Sequence, residues 1–459
     1  MLNQNDIRAV LDAALQAGGD MAELFFEDTL RNTLEYRDGR VETALAGRDY
    51  GAGLRVMLGN NCAYAYTCDV SPAGLKEAAV SVAQAVGSAR GLTGRDFVIQ
   101  PPRAMMAAQI APMGVEAKKR AAIAKTAYDR ARAYSPEIVQ ASCTLADITQ
   151  RVLIANSEGI WAEDERVRSR LVVQGIAGNA NEMQTGFEGP GAGQGFEFFE
   201  NLDVEQMALE AAKTAVVMLH APFCPAGRMD VAIDGGFGGV IFHEACGHSL
   251  EATSVARGNS EFAGKLGEKI AHEKVTAIDD GTLPGAWGSI GYDDEGQASR
   301  RNVLIENGIL RGYMIDILGG RRMGMAGTGS GRRQNYRYAP TSRMTNTYIA
   351  PGDDEGIIEA MASGLYAKKM GGGSVNPLTG EFNFSVQEGY LIKDGKLDSP
   401  VRGATLIGKG SEVLLKIDAV GQAMTLGQGM CGSASGSVPT NVGQPLIRVT
   451  DLLVGGRES

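Results

Sequence analysis

Two histidines and one glutamate carry the most legible chemistry in this chain: His243-Glu244-Ala245-Cys246-Gly247-His248, within the segment GGFGGVIFHEACGHSLEATS. The chain contains only four histidines, and two of them bracket this motif. Two imidazoles about one helical turn apart, with a carboxylate beside the first, are what a hydrolytic zinc site needs. The imidazoles hold the ion, and the carboxylate takes a proton from the water that attacks the substrate. His243 and His248 are therefore candidate metal ligands and Glu244 a candidate general base, with Zn2+ as the expected metal.

The spacing differs from the common H-E-x-x-H helix, whose histidines are i and i+4. At ~100° per residue, i and i+4 lie ~40° apart and face one ion, whereas i and i+5 lie ~140° apart on an ideal α-helix. Rings that diverge so far cannot both place a nitrogen ~2.1 Å from one metal. The spacing predicts a π-bulge, which adds one residue to a turn and realigns the rings. Gly247 has no Cβ to resist that distortion. The plain alternative is two unrelated helix residues, one buried and one exposed. The surroundings favour the metal. Residues 228–234 alternate like a short strand, Gly235, Gly236, Gly238 and Gly239 form a turn, and Val240, Ile241 and Phe242 run apolar into the motif. A helix buried at that point needs partners for His, Glu and His, and a metal supplies them.

Further segments extend the pattern along nearly the whole chain. They are LEYRDGRVE, GAGLRVMLGNNCAYAYTCDVS, HEACGHSLEA, RYAPTSRMTNTYIAPG, GGGSVNPLTGEFNFSVQEGYLIKDGK, GATLIGKG and GMCGSASGSVPTNVGQP. In this order they resemble the TldD/PmbA family, and specifically its TldD branch, which carries HExxxH where PmbA (TldE) subunits lack it. The resemblance implies a cytoplasmic zinc metalloprotease that trims short or unfolded peptides. It also implies a heterodimer with a PmbA/TldE-like subunit, and a third metal ligand in a cysteine near the C-terminus, here Cys431. On its residues alone, Cys431 lies in the small-residue loop GQGMCGS, which could bring a thiolate to zinc, or it is a buried thiol, the commoner fate of a free Cys. Glu251, His272, Asp279 and Asp280 are rival third ligands. Cys246 reads as packing.

Composition sets the frame. A chain of 459 residues is too long for one ordinary core. Its 44% hydrophobic and 21% charged content is that of a globular protein, and 62 glycines point to a loop-rich and strand-rich C-terminal half. A net charge of −10 without a Lys/Arg run argues against nucleic-acid binding. Six scattered cysteines without a CxxC pair read as reduced thiols, hence a cytoplasmic protein. The N-terminus reads as an amphipathic helix rather than a signal peptide, and no apolar run is long enough to span a membrane.

The fold class read from these patterns is α+β, with an N-terminal α/β sheet region and a C-terminal strand-rich domain packed around the zinc-binding helix. Residues 1–100 form an N-terminal α+β domain. Its strands are expected at 22–27 and 31–37, with an Asp38-Gly39 hairpin, a second hairpin around 59–61, and a helix from Ser71-Pro72 to about 86. Residues 101–222 form a scaffold domain, with helices near 115–134 and 203–219 and strands at 138–148 and 151–155. Residues 223–459 carry the chemistry, in a closed or strongly curved sheet. The glycine-rich run at 324–333 lacks a phosphate-loop match and is read as a flap over the site or an inert loop. Arg343 is a candidate oxyanion donor.

Three functions compete. A zinc peptidase would use Glu244 as base and then as proton donor. A non-catalytic subunit of a peptide-processing complex would keep a structural metal, but such a site has no need of Glu244. A thiol hydrolase would use Cys431 or Cys246, but lacks a nucleophile motif. Peptides are the expected substrate, and self-association or a PmbA/TldE-like subunit the expected assembly.

Overall fold

The computed structural model describes residues 3–86, 93–106, 108–376 and 379–457. Pro377 and Leu378, within one of the family-like segments, lie outside the described residues. The first helix, α1 (Gln4–Leu15), is capped by Asn3, whose side chain accepts from the Asp6 N–H, and it buries Ile7, Val10, Leu11, Ala14 and Leu15. Strands β1 (Met21–Arg37) and β2 (Arg40–Leu58) join through Asp38 and Gly39, both at positive φ, the hairpin turn that the Asp-Gly pair predicts. β2 turns again into β3 (Asn61–Thr67). Helix α2 (Pro72–Val86) begins where Ser71 Oγ accepts from the Gly74 N–H.

The strands run longer than their apolar patterns suggest. β1 is continuous through Asp28, Thr29 and Leu30 because it is paired on both edges, to β2 and to β4 (Ile138–Asn156). β4 continues likewise through Thr149 and Gln150 into β5 (Ile160–Gly178), a strand the sequence did not reveal. The sheet order is β3-β2-β1-β4-β5, with short strands added at β5. The β1–β4 ladder joins the regions before and after residue 100 into one antiparallel sheet.

Helices cover one face of this sheet. α1 and α2 pack on Leu24, Leu54 and Val56; α3 (Ala117–Arg132) and α4 (Val204–His220) pack on Leu34, Leu145, Leu171 and Val173. Leu24 and Leu34 share the even-numbered face of β1. The odd face is buried from Met21 to Thr29, by Phe25 against Tyr336 and by polar contacts with the C-terminal part. Glu23 pairs with Arg333 at 2.5 Å, and Glu27 accepts from the Tyr336 N–H at 2.9 Å.

The C-terminal part contains β6 (Gly227–Ile233), β7 (Asn346–Ile349), β8 (Ser363–Val375), β9 (Glu381–Lys393), β10 (Thr405–Lys409), β11 (Thr425–Ser433), β12 (Gly436–Gln444) and β13 (Ile447–Gly455). β6, β8, β9, β10 and β13 pair in a closed ring. A second sheet ends in the order β7-β12-β11, so β11 is an edge strand. One core joins these strands to the HExxxH segment, with Phe242, Ala245 and Cys246 clustered with Phe382, Phe384 and Leu406. No helix among the described residues is long and apolar enough to cross a membrane.

Candidate metal centre

The segment leaves β6 through a turn that only glycine permits. A Cβ on Gly239 would lie 2.3 Å from the Gly443 nitrogen on β12. The motif then rides on a composite helical segment rather than one regular helix. A 3-10 turn at Phe237–Gly239 and an α-turn at Val240–Phe242 lead into a π-turn at His243–Gly247 and a further 3-10 turn at His248–Leu250. The His248 N–H bonds to the His243 carbonyl, the five-residue step that the histidine spacing demands. The two rings end with centroids 5.0 Å apart. Gly247 has a second reason to be glycine: a Cβ there would sit 2.4 Å from the Met344 sulfur.

Cys431 reaches the same point from β11. Its Sγ lies 3.2 Å from His243 Nε2 and 3.3 Å from His248 Nε2, and the three donor atoms fall within 4.8 Å of one another. Sulfur and nitrogen donors ~2.3 Å and ~2.05 Å from a tetrahedral zinc are about 3.6 Å apart, so each sulfur–nitrogen pair needs only a few tenths of an ångström of adjustment. Burial would raise the Cys431 thiol, but the adjacent imidazoles outweigh it and hold the group down to about 3. Burial works against a charged His248, yet Glu251 and Cys431 beside it push its pKa well above the ordinary value. A thiolate and two imidazoles are a donor set that suits zinc and would leave one of its four positions open.

The neighbouring carboxylates have different surroundings. Glu244 Oε2 is 3.8 Å from His248 Nε2, and its side chain keeps 25% exposure, so it faces the accessible side of the cluster. Glu251 is buried behind the ring, with Oε2 3.2 Å from His248 Nδ1. That contact turns Nε2 toward Cys431, as outer-shell carboxylates do in metal sites. The i+3 spacing from His248 was the available signal for it. Glu251, a rival third ligand by sequence, lies outside the donor cluster and contacts the far nitrogen of His248.

Three consecutive stretches match the PmbA/TldA metallopeptidase family: residues 22–86 as domain 1, 110–219 as the central domain and 226–456 as the C-terminal domain. The metalloprotease TldD homolog of Haemophilus influenzae is 36% identical over 99% of this chain and 97% of its own length. The chain belongs to the TldD/PmbA family, in its TldD branch. It is a metallopeptidase by that membership. A zinc metalloprotease TldD homolog of Saccharolobus solfataricus is 31% identical over 56% of this chain and 58% of its own length. Two solved structures share the fold. One is a proposed modulator of DNA gyrase from Thermotoga maritima, with a TM-score of 0.79 and 21% identity, covering 95% of this chain and 96% of that one. The other is TldE from Thermococcus kodakarensis, with a TM-score of 0.74 and 18% identity, covering 95% and 97%.

Other residues singled out in the sequence of this TldD-branch chain lie elsewhere. Arg343 is fully buried and donates to the Cys431 and Gly436 carbonyls and to Ser435 Oγ. It braces the β11–β12 turn rather than presenting itself as an oxyanion donor. Asp279 accepts from Thr345 and Thr347, Asp280 from Thr282, and His272 from the Lys274 N–H; none joins the donor cluster. Cys246 is core, its thiol pushed well up by burial. The glycine-rich run is fastened along its length: the Met325 N–H donates to the Gly320 carbonyl and the Thr328 N–H to the Ile315 carbonyl, Asp293 accepts from the Gly331 N–H and Asp294 from the Arg333 N–H. Beside the cluster lies a cavity of about 990 Å³, lined by Phe237 and Gly238 at the start of the motif segment and by residues 427–430 of β11.

Proposed function

We propose that this chain is a zinc-dependent peptidase hydrolysing short or unfolded peptides, with His243, His248 and Cys431 as metal ligands and Glu244 as general base. The observation that carries the reading is the convergence of three donor atoms from two distant segments, achieved by the π-turn, with a solvent-accessible carboxylate beside them. Zinc in such a set supplies Lewis acidity to a scissile carbonyl and to the attacking water. Glu244 takes the proton from that water and returns it to the leaving amine. Glu251 fixes the orientation of His248, and Arg343 holds the turn that carries Cys431. The choice of zinc rests on the N/S donor set and on the naming of one relative.

The substrate reading rests on β11. Among the described residues its outer edge meets the Gly236–Leu426 bridge, the Trp287 indole N–H at the Gly429 carbonyl and Arg343 at the Cys431 carbonyl, and it borders the larger cavity. An extended peptide can add there as a strand through main-chain hydrogen bonds with little side-chain selectivity. Flexible peptides fit this mode and compact proteins do not. Likeness in fold to a TldE supports pairing with a PmbA/TldE-like subunit or with a second copy. Six free thiols fit a cytoplasmic setting.

Glu244→Gln is the decisive variant. It should retain its metal and its fold while peptide hydrolysis falls by ~10²–10⁴-fold. Activity within a few-fold of the parent removes Glu244 from the mechanism. A metal-loaded parent with no hydrolysis of any unfolded peptide, alone or with a PmbA/TldE-like subunit, would favour a structural metal.

A further inference from the structure

A second cavity, of about 340 Å³, lies between the polar face of the N-terminal sheet and the C-terminal part, and five arginines line it: Arg31, Arg166, Arg168, Arg332 and Arg333. Three of these are neutralised. Arg31 pairs with Asp49 at 3.4 Å, Arg166 with Asp294 at 2.7 Å and Arg333 with Glu23 at 2.5 Å. The other two are not. Arg168 donates to the Trp287 and Ser289 carbonyls, and Arg332 to the Met344 and Pro439 carbonyls. Neither forms an ion pair with a carboxylate among the described residues, although each is only 3% exposed. Arg168 Nη1 and Arg332 Nε make no hydrogen bond to the described residues.

Two like charges buried against one cavity without a direct ion pair are costly, since Asp294 on the same cavity is already held by Arg166, and carbonyl contacts satisfy donors without neutralising charge. Burial lowers both groups, with Arg332 and Arg166 repelling Arg168 and with Arg166 and Arg343 repelling Arg332, and the more distant Asp294 does not offset it, so Arg332 falls to about 10. A planar guanidinium fork is suited to an oxyanion, which it can grip through two parallel hydrogen bonds.

We propose that this cavity binds a small oxyanion, of the carboxylate or phosphate type, between Arg168 and Arg332. It is separate from the metal centre. Neighbouring residues of β11 point to opposite faces, so Cys431 faces the histidines while Met430 and its partner Pro439 face the arginines. Met430, however, lines both this cavity and the larger one beside β11. The C-terminal carboxylate of a peptide lying in the larger cavity and a free phosphate therefore offer the same chemistry to the same pair of arginines.

The test is thermal denaturation of the full chain in inorganic phosphate against sodium chloride at equal ionic strength. Phosphate should raise the midpoint saturably, by several degrees, because it binds only the folded form. Arg168→Met and Arg332→Met should each lose this response while gaining stability in anion-free buffer, the opposite of what a merely structural arginine would do. In Glu244→Gln protein, a hexapeptide acid that raises the midpoint where its C-terminal amide does not identifies the peptide terminus as the source. A response to phosphate alone identifies a free anion. The peptide arm rests on the peptidase reading and the phosphate arm does not, so failure of one is distinguishable from failure of the other. Identical midpoints in phosphate, peptide acid and chloride, or an undiminished response in both methionine variants, overturn the proposal.

Discussion

Gly410→Ala should dismantle the metal centre without touching any ligand. Gly410 follows β10 and lies against the middle of the π-turn, where a Cβ would sit 1.9 Å from the Ala245 carbonyl oxygen. Real Cβ contacts stay beyond 3.0 Å, so backbone and backbone must part by at least 1.1 Å (3.0 less 1.9). Neither atom can rotate away, and Ala245 is fully buried. Metal–donor distances tolerate only about 0.2 Å, so the shift is several times what the donor set can absorb. Overpacking of this kind costs ~1–3 kcal/mol, and at ~1.4 kcal/mol per tenfold the zinc affinity should fall about 5- to 150-fold. The assay is zinc competition against a chromogenic chelator, with circular dichroism to confirm the fold. Gly372→Ala, on β8 with nothing within 4 Å of its new Cβ, serves as the control and should bind like the parent. Gly410→Ala with zinc affinity within twofold of the parent would refute the argument that the π-turn sets the site.

Glu251→Gln should weaken zinc binding ~10–100-fold, the usual cost of losing an outer-shell carboxylate, and a chelator titration matching the parent would show that His248 needs no such brace. Stability should also depend on pH through a buried cluster away from the metal. Burial raises Asp293 to about 7 and Glu295 to about 8, and Arg55 must serve both Glu23, at 2.5 Å, and Glu295, at 2.7 Å. Raised carboxylates take up protons on folding, so the stability they contribute is complete below about pH 4 and is lost as pH rises through 7 to 8, with a slope of up to ~1.4 kcal/mol per pH unit for each proton. Glu295→Gln should flatten that fall, and denaturant midpoints with the same slope in both proteins would contradict it. Asp203→Ala removes the cap that accepts from the Gln206 N–H at the start of α4 and should cost ~1 kcal/mol in denaturant unfolding; no change would mean that packing alone holds that helix end.

Local chemistry was the legible part of this protein. The i, i+5 histidines required a π-turn, Asp38-Gly39 occupies the positive-φ turn its residue types predict, and Ser71-Pro72 and Asp203 start their helices. What escaped depends on partners distant in sequence. β5 was hidden because Arg166 and Arg168, on its second face, are buried by charge pairing and carbonyl contacts instead of alternating with solvent. A closed or strongly curved sheet is legible in the strand pattern, but not which strands close it: β6 meets β13 and β8, pairings that no local periodicity encodes. The glycine-rich run looked free because its acceptors, Asp293 and Asp294, lie on another loop. Arg343 reads in sequence as an oxyanion donor, and only the fold shows it buried beneath the Cys431 carbonyl. Cys431 itself reads as a candidate ligand only through the family resemblance, since nothing in its own loop distinguishes a ligand from a packed thiol.

The central claim, that two histidines and one cysteine hold the metal, is tested most directly by X-ray absorption at the zinc edge of the loaded protein. The account predicts one sulfur scatterer at ~2.3 Å and two imidazole nitrogens at ~2.0–2.1 Å, with the sulfur shell absent from Cys431→Ala. A zinc shell of nitrogen and oxygen alone in the parent protein would contradict it.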